Sequence, residues 1–146
     1  MNLKPENLAE IRRDFHRYPE LGFKEKRTKE KIIGYLKELG LDVHSGAGIV
    51  GVLRSGEGNK VIGLRADMDA LPIRETNTHD YVSNNTGVMH ACGNDGHMAM
   101  LLGAAHKLSK NANFSGTIVF IFQPNEELGL GAKAMMDEGL LENFPM

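Results

Sequence analysis

A chain of 146 residues can form one domain with its own hydrophobic core, and it is too short for two. The composition is that of a globular protein, with 41% hydrophobic residues, 25% charged residues and a formal net charge of −2. No basic stretch is sustained and no apolar run reaches the roughly 20 residues of a spanning helix, so we expect neither a nucleic acid nor a membrane as partner. The polar residues 1–20 predict no secretory leader, and the single cysteine favours a cytoplasmic protein.

Two helices are predicted near the N-terminus. The first begins near Pro5, which is favoured in a first helical turn, and ends before Pro19, which disfavours helical geometry in the residue preceding it. The second covers about residues 28–39, where apolar residues recur at helical spacing. Gly40 then provides a left-handed cap for this second helix.

Three short strands are predicted next. They cover about residues 41–44, 49–54 and 61–65. The last two flank the Gly-rich loop 55–59, so we expect them to pair with each other as a hairpin.

The second half of the chain alternates helices and strands. After a polar stretch that follows Pro72, we expect a helix at residues 96–109, a strand at 117–123 and a short helix at 132–138 that ends at Gly139. The strand reads T-I-V-F-I-F-Q, and such a run without polar alternation is typical of a strand covered on both faces. The order of elements predicts the fold class α/β, with helices packed on a mixed, mostly parallel sheet.

Three polar clusters follow or precede these elements. Asp67 and Asp69 come just after the strand 61–65, the pair Glu126–Glu127 comes just after the strand 117–123, and Cys92 lies just before the helix 96–109. Open α/β sheets bind ligands outside the carboxyl ends of their strands, so we expect the three clusters to converge at one edge. Thiols, imidazoles and carboxylates are ligands of divalent transition metals, and the clusters therefore predict a metal-dependent hydrolase.

Each cluster also has a plainer interpretation. Glu126 and Glu127 could be a solvated acidic pair that opens a helix. Asp67 and Asp69 could belong to an ordinary turn, and a lone Cys92 could be a buried, inert residue.

The histidines differ in their sequence context. The combination His-x-Cys-Gly-x-Asp-Gly-His, from His90 to His97, is more specific than any of its members because its glycines permit the close turns of a ligand loop. The other histidines lack such a context, and we interpret them as structural or surface residues: His16, His44, His79 and His106.

The sequence resembles the amidohydrolase branch of the aminoacylase and carboxypeptidase-G type metallopeptidases, which includes hippurate hydrolases, N-acyl-amino-acid amidohydrolases, auxin-conjugate hydrolases and N-acetyl-diaminopimelate deacetylases. The resemblance covers essentially all 146 residues. It implies a zinc-peptidase-like catalytic domain that hydrolyses small N-acyl-amino acids with one or two divalent ions of manganese, zinc or cobalt. Its four motifs are His16–Phe23, Gly63–Pro72, His90–His97 and Phe120–Glu127.

The resemblance also implies a role for particular residues. Cys92 and Glu127 correspond to metal ligands, and Glu126 corresponds to the general base that acts on metal-bound water. Asp69 corresponds to the acidic residue that supports the metal site from behind. Asp67 lies where sister branches place a ligating histidine.

Two departures from the family pattern stand out. The family usually reads Cys-Gly-His-Asp with the histidine as a ligand, whereas this chain has Asn94 at the ligating position. The neutral amide oxygen of Asn94 is a poorer donor than imidazole, so we expect weakened metal binding.

The second departure is length, because family members are well over twice as long. Residues 1–146 therefore correspond to the N-terminal part of the catalytic domain, without the lid or dimerisation domain and without most of the substrate pocket. We expect little or no hydrolase activity from the isolated chain, and a homodimer only of the full-length protein. The alternative is a non-catalytic remnant that acts as a weak metal-binding or interaction module.

Overall fold

The computed structural model describes residues 3–146 as an α/β chain. A 3-10 turn at Pro5–Asn7 precedes the first helix. The helices within this range are α1 (Leu8–Arg17), α2 (Lys26–Glu38), α3 (Asn94–Lys110), α4 (Gly131–Asp137) and α5 (Leu140–Asn143). The strands are β1 (Asp42–Ser45), β2 (Ile49–Ser55), β3 (Val61–Asp67) and β4 (Gly116–Gln123).

The predicted helices are confirmed with shifts of one or two residues at their ends. The helical start lies at Pro5, and α1 ends at Arg17, before Pro19. Gly40 follows α2 with a φ of 78°, in the left-handed region that glycine adopts without steric cost. The four-residue α5 was not predicted, because so short a segment carries too little periodicity to be recognised.

The strands form one mixed sheet in the order β1-β2-β4-β3. The α/β class with a mixed sheet is confirmed, but the expectation of a mostly parallel sheet is wrong for these strands. Only β3 and β4 pair in parallel, whereas β1 with β2 and β2 with β4 are antiparallel. The expected hairpin between β2 and β3 is also wrong, because β4 lies between them.

The position of β4 follows from its apolar composition. Side chains alternate between the two faces of a strand, and both sets are apolar here. Phe120 and Phe122 face the cluster packed under α1, α2 and α3, whereas Val119 belongs to the opposite cluster with Met135 of α4. Water cannot reach the backbone of a strand whose two faces are both covered, so its N–H and C=O groups need a neighbouring strand on each edge. The interior of the sheet provides both neighbours, and β4 is therefore favoured there.

The connection from β3 to β4 sets the direction of the parallel pair. Parallel neighbours need a crossover, and α3 provides it. In the parallel register Asp67 lies opposite Gln123, so both strands end at the same edge of the sheet. The loops that carry the candidate residues leave from this edge.

No helix within residues 3–146 is long and apolar enough to span a lipid bilayer.

Candidate metal centre

Asp69 joins the first and the last of the three polar clusters. Its carboxylate is almost fully buried, at 1% exposure. Oδ1 accepts a hydrogen bond from the backbone N–H of Glu126 at 2.9 Å, and Oδ2 accepts one from the backbone N–H of Glu127 at 3.0 Å. Asp69 therefore fixes the loop after β4 rather than its own turn, and the simple turn interpretation of this residue is wrong.

Asn94 joins the middle cluster to the other two. Its side-chain Nδ2 donates to the backbone carbonyl oxygen of Asp69 at 2.8 Å and to Oε1 of Glu127 at 3.2 Å. Both partners are acceptors, so the amide nitrogen must face them. The amide oxygen is buried and has no hydrogen-bond partner. The three clusters therefore meet, as the sequence predicted.

Cys92 is exposed, so its interpretation as a buried, inert cysteine is wrong. The hydrogen bond between its thiol and Glu127, together with the negative charge of that carboxylate, raises the pKa of Cys92. The carboxylates of Glu126 and Asp67 act in the same direction. Negative charge is thus concentrated around the thiol, which is the electrostatic environment that a divalent cation would neutralise.

The pair Glu126–Glu127 lies in a turn and does not open a helix. The next helix, α4, begins only at Gly131. The positive φ of Asn125, 44°, turns the chain just before the pair. Both glutamate side chains remain partly exposed, and Asp69 holds their backbone rather than their carboxylates, so both carboxylates can face a ligand at the surface of this loop.

Asp67 is nearly buried at the end of β3. Its Oδ1 lies 2.7 Å from Nδ1 of His97, and its Oδ2 accepts a hydrogen bond from Nη1 of Arg65 at 3.1 Å. His97 on the first turns of α3 thereby connects the end of β3 to the loop of Cys92. Asp67 is already engaged by two partners, which favours a supporting position over an open ligand position.

These donors fit a divalent metal only in part. Cys92 and Glu127 offer a thiolate and a carboxylate that already contact each other. Asn94 presents its N–H to Glu127, and it would have to turn its unpartnered Oδ1 toward an ion in order to ligate it. Two strong donors and one weak one hold zinc or manganese less tightly than a site completed by imidazole.

A second group of side chains lies outside the predicted set. His16, Glu75 and His79 have ligand atoms that all lie within 4.8 Å of one another, the one such group of three among residues 3–146. Burial acts to raise the pKa of Glu75, but hydrogen bonds from Asn77, His16 and the backbone of Ser83 outweigh it and lower that pKa to about 2. The interpretation of His16 as structural is consistent with its burial, but no sequence pattern indicated that Glu75 and His79 join it.

His90 is buried beside these groups. Neither of its ring nitrogens has a hydrogen-bond partner. Burial disfavours the charged imidazole and lowers the pKa of His90 to about 4. The ring is therefore neutral at neutral pH.

A mixed sheet that carries carboxylates and a thiol beyond the ends of its parallel strands is typical of metallohydrolases. Comparison with known families agrees with this class. The profile described as peptidase family M20/M25/M40 matches residues 63–146, which include all three clusters. The chain belongs to this family.

Individual relatives and structures give the same result. The hippurate hydrolase of Campylobacter jejuni is 48% identical, in an alignment that covers 99% of this chain and 40% of the relative. The N-acetylcysteine deacetylase of Bacillus subtilis is 40% identical, in an alignment that covers 92% of this chain and 37% of the relative. The crystal structure of the Bacillus subtilis YXEP protein, described as a dinuclear metal-binding peptidase of the M20 family, superimposes with a TM-score of 0.90 at 38% identity and covers 95% of this chain and 40% of that one. The chain thus spans about 40% of the length of such relatives.

Proposed function

We propose that this chain provides part of the catalytic centre of a metal-dependent hydrolase that cleaves the amide bond of N-acyl-amino acids. The observation that carries the proposal is the bidentate hold of Asp69 on the backbone of Glu126 and Glu127. It brings two carboxylates next to the thiol of Cys92 from a different part of the sequence. Relatives named as hydrolases of hippurate and of N-acetylcysteine support the substrate class, because both compounds are N-acyl-amino acids.

Each residue has a role in this proposal. Cys92 and Glu127 would hold the metal, with Asn94 as a weak third donor and Asp67 in support. Glu126 is partly exposed, and its carboxylate can accept a proton from water as a general base. Asp69 positions both glutamates through their backbone. Manganese, zinc or cobalt, as one or two ions, would supply Lewis acidity at the amide carbonyl and an acidified water.

Metal stoichiometry tests this assignment. The chain is loaded with manganese, dialysed and analysed by elemental analysis, beside Cys92→Ser and Glu127→Gln. We expect each of these variants to lose one equivalent that the parent holds, whereas Glu142→Gln, which changes an exposed glutamate, retains it. Equal manganese content in the parent and in Cys92→Ser would contradict the proposal.

The substrate class requires a separate assay. The chain and its Asn94→His variant are incubated with N-acetyl- and N-benzoyl-amino acids in the presence of manganese. We expect little or no hydrolysis by the parent, and any measurable hydrolysis to require Glu126. Hydrolysis that persists in Glu126→Gln would remove this residue from the mechanism.

The same proposal includes the setting of the reaction. The partner is a small N-acyl-amino acid rather than a nucleic acid or a membrane, and the compartment is the cytoplasm. For the full-length protein, we propose a homodimer. Size-exclusion chromatography with light scattering on the longer protein and subcellular fractionation test these two points.

A second candidate function is a non-catalytic module that binds metal weakly or contacts another protein. The observation in its favour is the hydrogen bond from Asn94 to Glu127, which engages a ligand carboxylate with a donor. Failure of both the parent and Asn94→His to take up manganese would favour this candidate.

A further inference from the structure

Three side chains outside the candidate metal centre converge on one point. His16 comes from the end of α1, whereas Glu75 and His79 come from the irregular segment after Pro72. Oε1 of Glu75 lies 3.0 Å from Nε2 of His16 and 3.3 Å from Nε2 of His79. Two imidazoles and one carboxylate thus face each other with their donor atoms inward.

The orientation of His16 is fixed from behind. Its Nδ1 lies 2.8 Å from Oδ2 of Asp95, whose side chain is fully buried. Nε of Arg12 lies 2.7 Å from the same oxygen and balances its charge. When the imidazole donates its Nδ1 proton to Asp95, a metal ion can replace the proton on Nε2, and the contact with Asp95 is then the usual second contact of a metal-ligating histidine.

Glu75 and His79 are held in a similar way. The side chain of Glu75 is only 3% exposed, and its Oε2 accepts a hydrogen bond from the backbone N–H of Ser83 at 2.6 Å. The ring of His79 stacks on Tyr81, with ring centroids 3.8 Å apart and an interplanar angle of 16°. His79 is also the most accessible of the three ligands, with a side chain that is 30% exposed, so an ion can enter from its side.

We propose that His16, Glu75 and His79 form a binding site for a divalent transition metal, in addition to the centre at Cys92. Two imidazole nitrogens and one carboxylate oxygen are a donor set of zinc, and cobalt and nickel accept the same ligands. A bound ion would connect the segment that carries Glu75 and His79 to α1. This inference rests on contacts that do not include the residues of the proposed hydrolase.

The experiment uses Zn²⁺ alone as the probe and the Cys92→Ser chain as the parent, because this background removes the thiolate of the other centre. Zn²⁺ affinity is measured by isothermal titration for this parent, for Cys92→Ser with His79→Asn, and for Cys92→Ser with His44→Asn. His79 and His44 are both accessible loop or edge residues, and the side chain of His44 lies against Asp42 and Phe144, outside the proposed site. Circular dichroism of all three proteins verifies that they are folded.

We expect one Zn²⁺ per chain in the parent and in the His44 variant, and an affinity at least about tenfold lower in the His79 variant. Saturating Zn²⁺ should raise the Tm of the parent and of the His44 variant more than that of the His79 variant, because binding to the native state stabilises it. Equal affinities in the His79 and His44 variants, or no Zn²⁺ binding by the folded parent, would overturn the proposal and leave a hydrogen-bonded cluster. A manganese content that is unchanged by Cys92→Ser would contradict the proposed function but would not affect this result.

Discussion

The side-chain amide of Asn94, at the start of α3, donates to Oε1 of Glu127 in the loop after β4 across 3.2 Å, although the two residues lie 33 positions apart in sequence. An amide that donates to a carboxylate competes with a cation for that carboxylate. The contact therefore stabilises this part of the structure when no metal is bound, and it lowers the affinity of Glu127 for a metal ion. It gives a physical reason to change this residue first.

We expect Asn94→His to raise manganese and zinc affinity by at least about tenfold, because imidazole is a better metal ligand than an amide oxygen. The substitution also removes the amide N–H that now donates a hydrogen bond to Glu127. Competition with a chromogenic chelator measures the affinity. Asn113→His is the matched control, since it adds an exposed histidine away from the loops. Equal affinities of the two variants would show that position 94 does not contact the ion.

Asp69→Asn should destabilise the loop after β4. An asparagine offers one acceptor oxygen where two backbone N–H groups now donate, and its amide nitrogen would oppose the second of them. We expect the free energy of unfolding to fall by about 1–3 kcal/mol in urea titrations.

The control for this variant is Asp80→Asn at an exposed position, where a change within about 0.5 kcal/mol is expected. A loss of stability as large as that of Asp69→Asn would show that the effect comes from charge alone rather than from the hold on the loop.

Glu25 should make stability depend on pH. Burial raises its pKa, although the backbone N–H of Asn125 opposes this by donating to Oε1 at 2.9 Å. The native chain therefore keeps the Glu25 proton at a higher pH than the unfolded chain does. Stability contributed at this position is present below the unfolded pKa of about 4.5 and is lost as the pH rises through the raised pKa of the native state.

Glu25→Gln has no titrating carboxyl, so it removes this loss of stability with rising pH. Its side-chain oxygen can still accept the hydrogen bond from the backbone N–H of Asn125. We expect the stability of the variant relative to the parent to be greater at pH 7 than at pH 4, as measured by urea unfolding at both values. Glu57→Gln, at an exposed position, should show no such difference. A relative stability of Glu25→Gln that is the same at both pH values would contradict the raised pKa.

The core under α3 provides a stability prediction that is independent of the site. Leu102 is fully buried in the cluster that also holds Phe15 and Phe120. We expect Leu102→Ala to lower the free energy of unfolding by about 2–5 kcal/mol. Met100→Ala on the same helix changes a side chain that is 65% exposed, and it should change stability by less than about 0.5 kcal/mol.

The convergence of the three clusters could be predicted from the sequence because it depends on strand ends alone. A helix between two apolar strands predicts a parallel pair, and parallel strands end at the same edge. Asp69 and Glu126 follow these two ends closely, so their meeting needed no knowledge of side-chain geometry. The direction in which the amide of Asn94 points is set by its acceptors, and no sequence pattern reveals it.

The partner of β2 could not be predicted in the same way. A Gly-rich loop between two strands favours a hairpin on local grounds. The observed pairing instead sets β2 beside the apolar β4, a strand about 70 residues further along, which no local pattern reveals. The group around Glu75 shows a similar limit, because His16 lies 59 positions away and the segment after Pro72 has no periodicity.

The interior position of β4 also governs the order in which the chain can fold. Strands β2 and β3 have no contact as a sheet until residues 116–123 have been synthesised and have entered between them. The sheet therefore depends on long-range pairing and is expected to assemble slowly. Until β4 enters, the edges of β2 and β3 that it pairs with are open, so the nascent chain is expected to be prone to aggregation before this pairing forms.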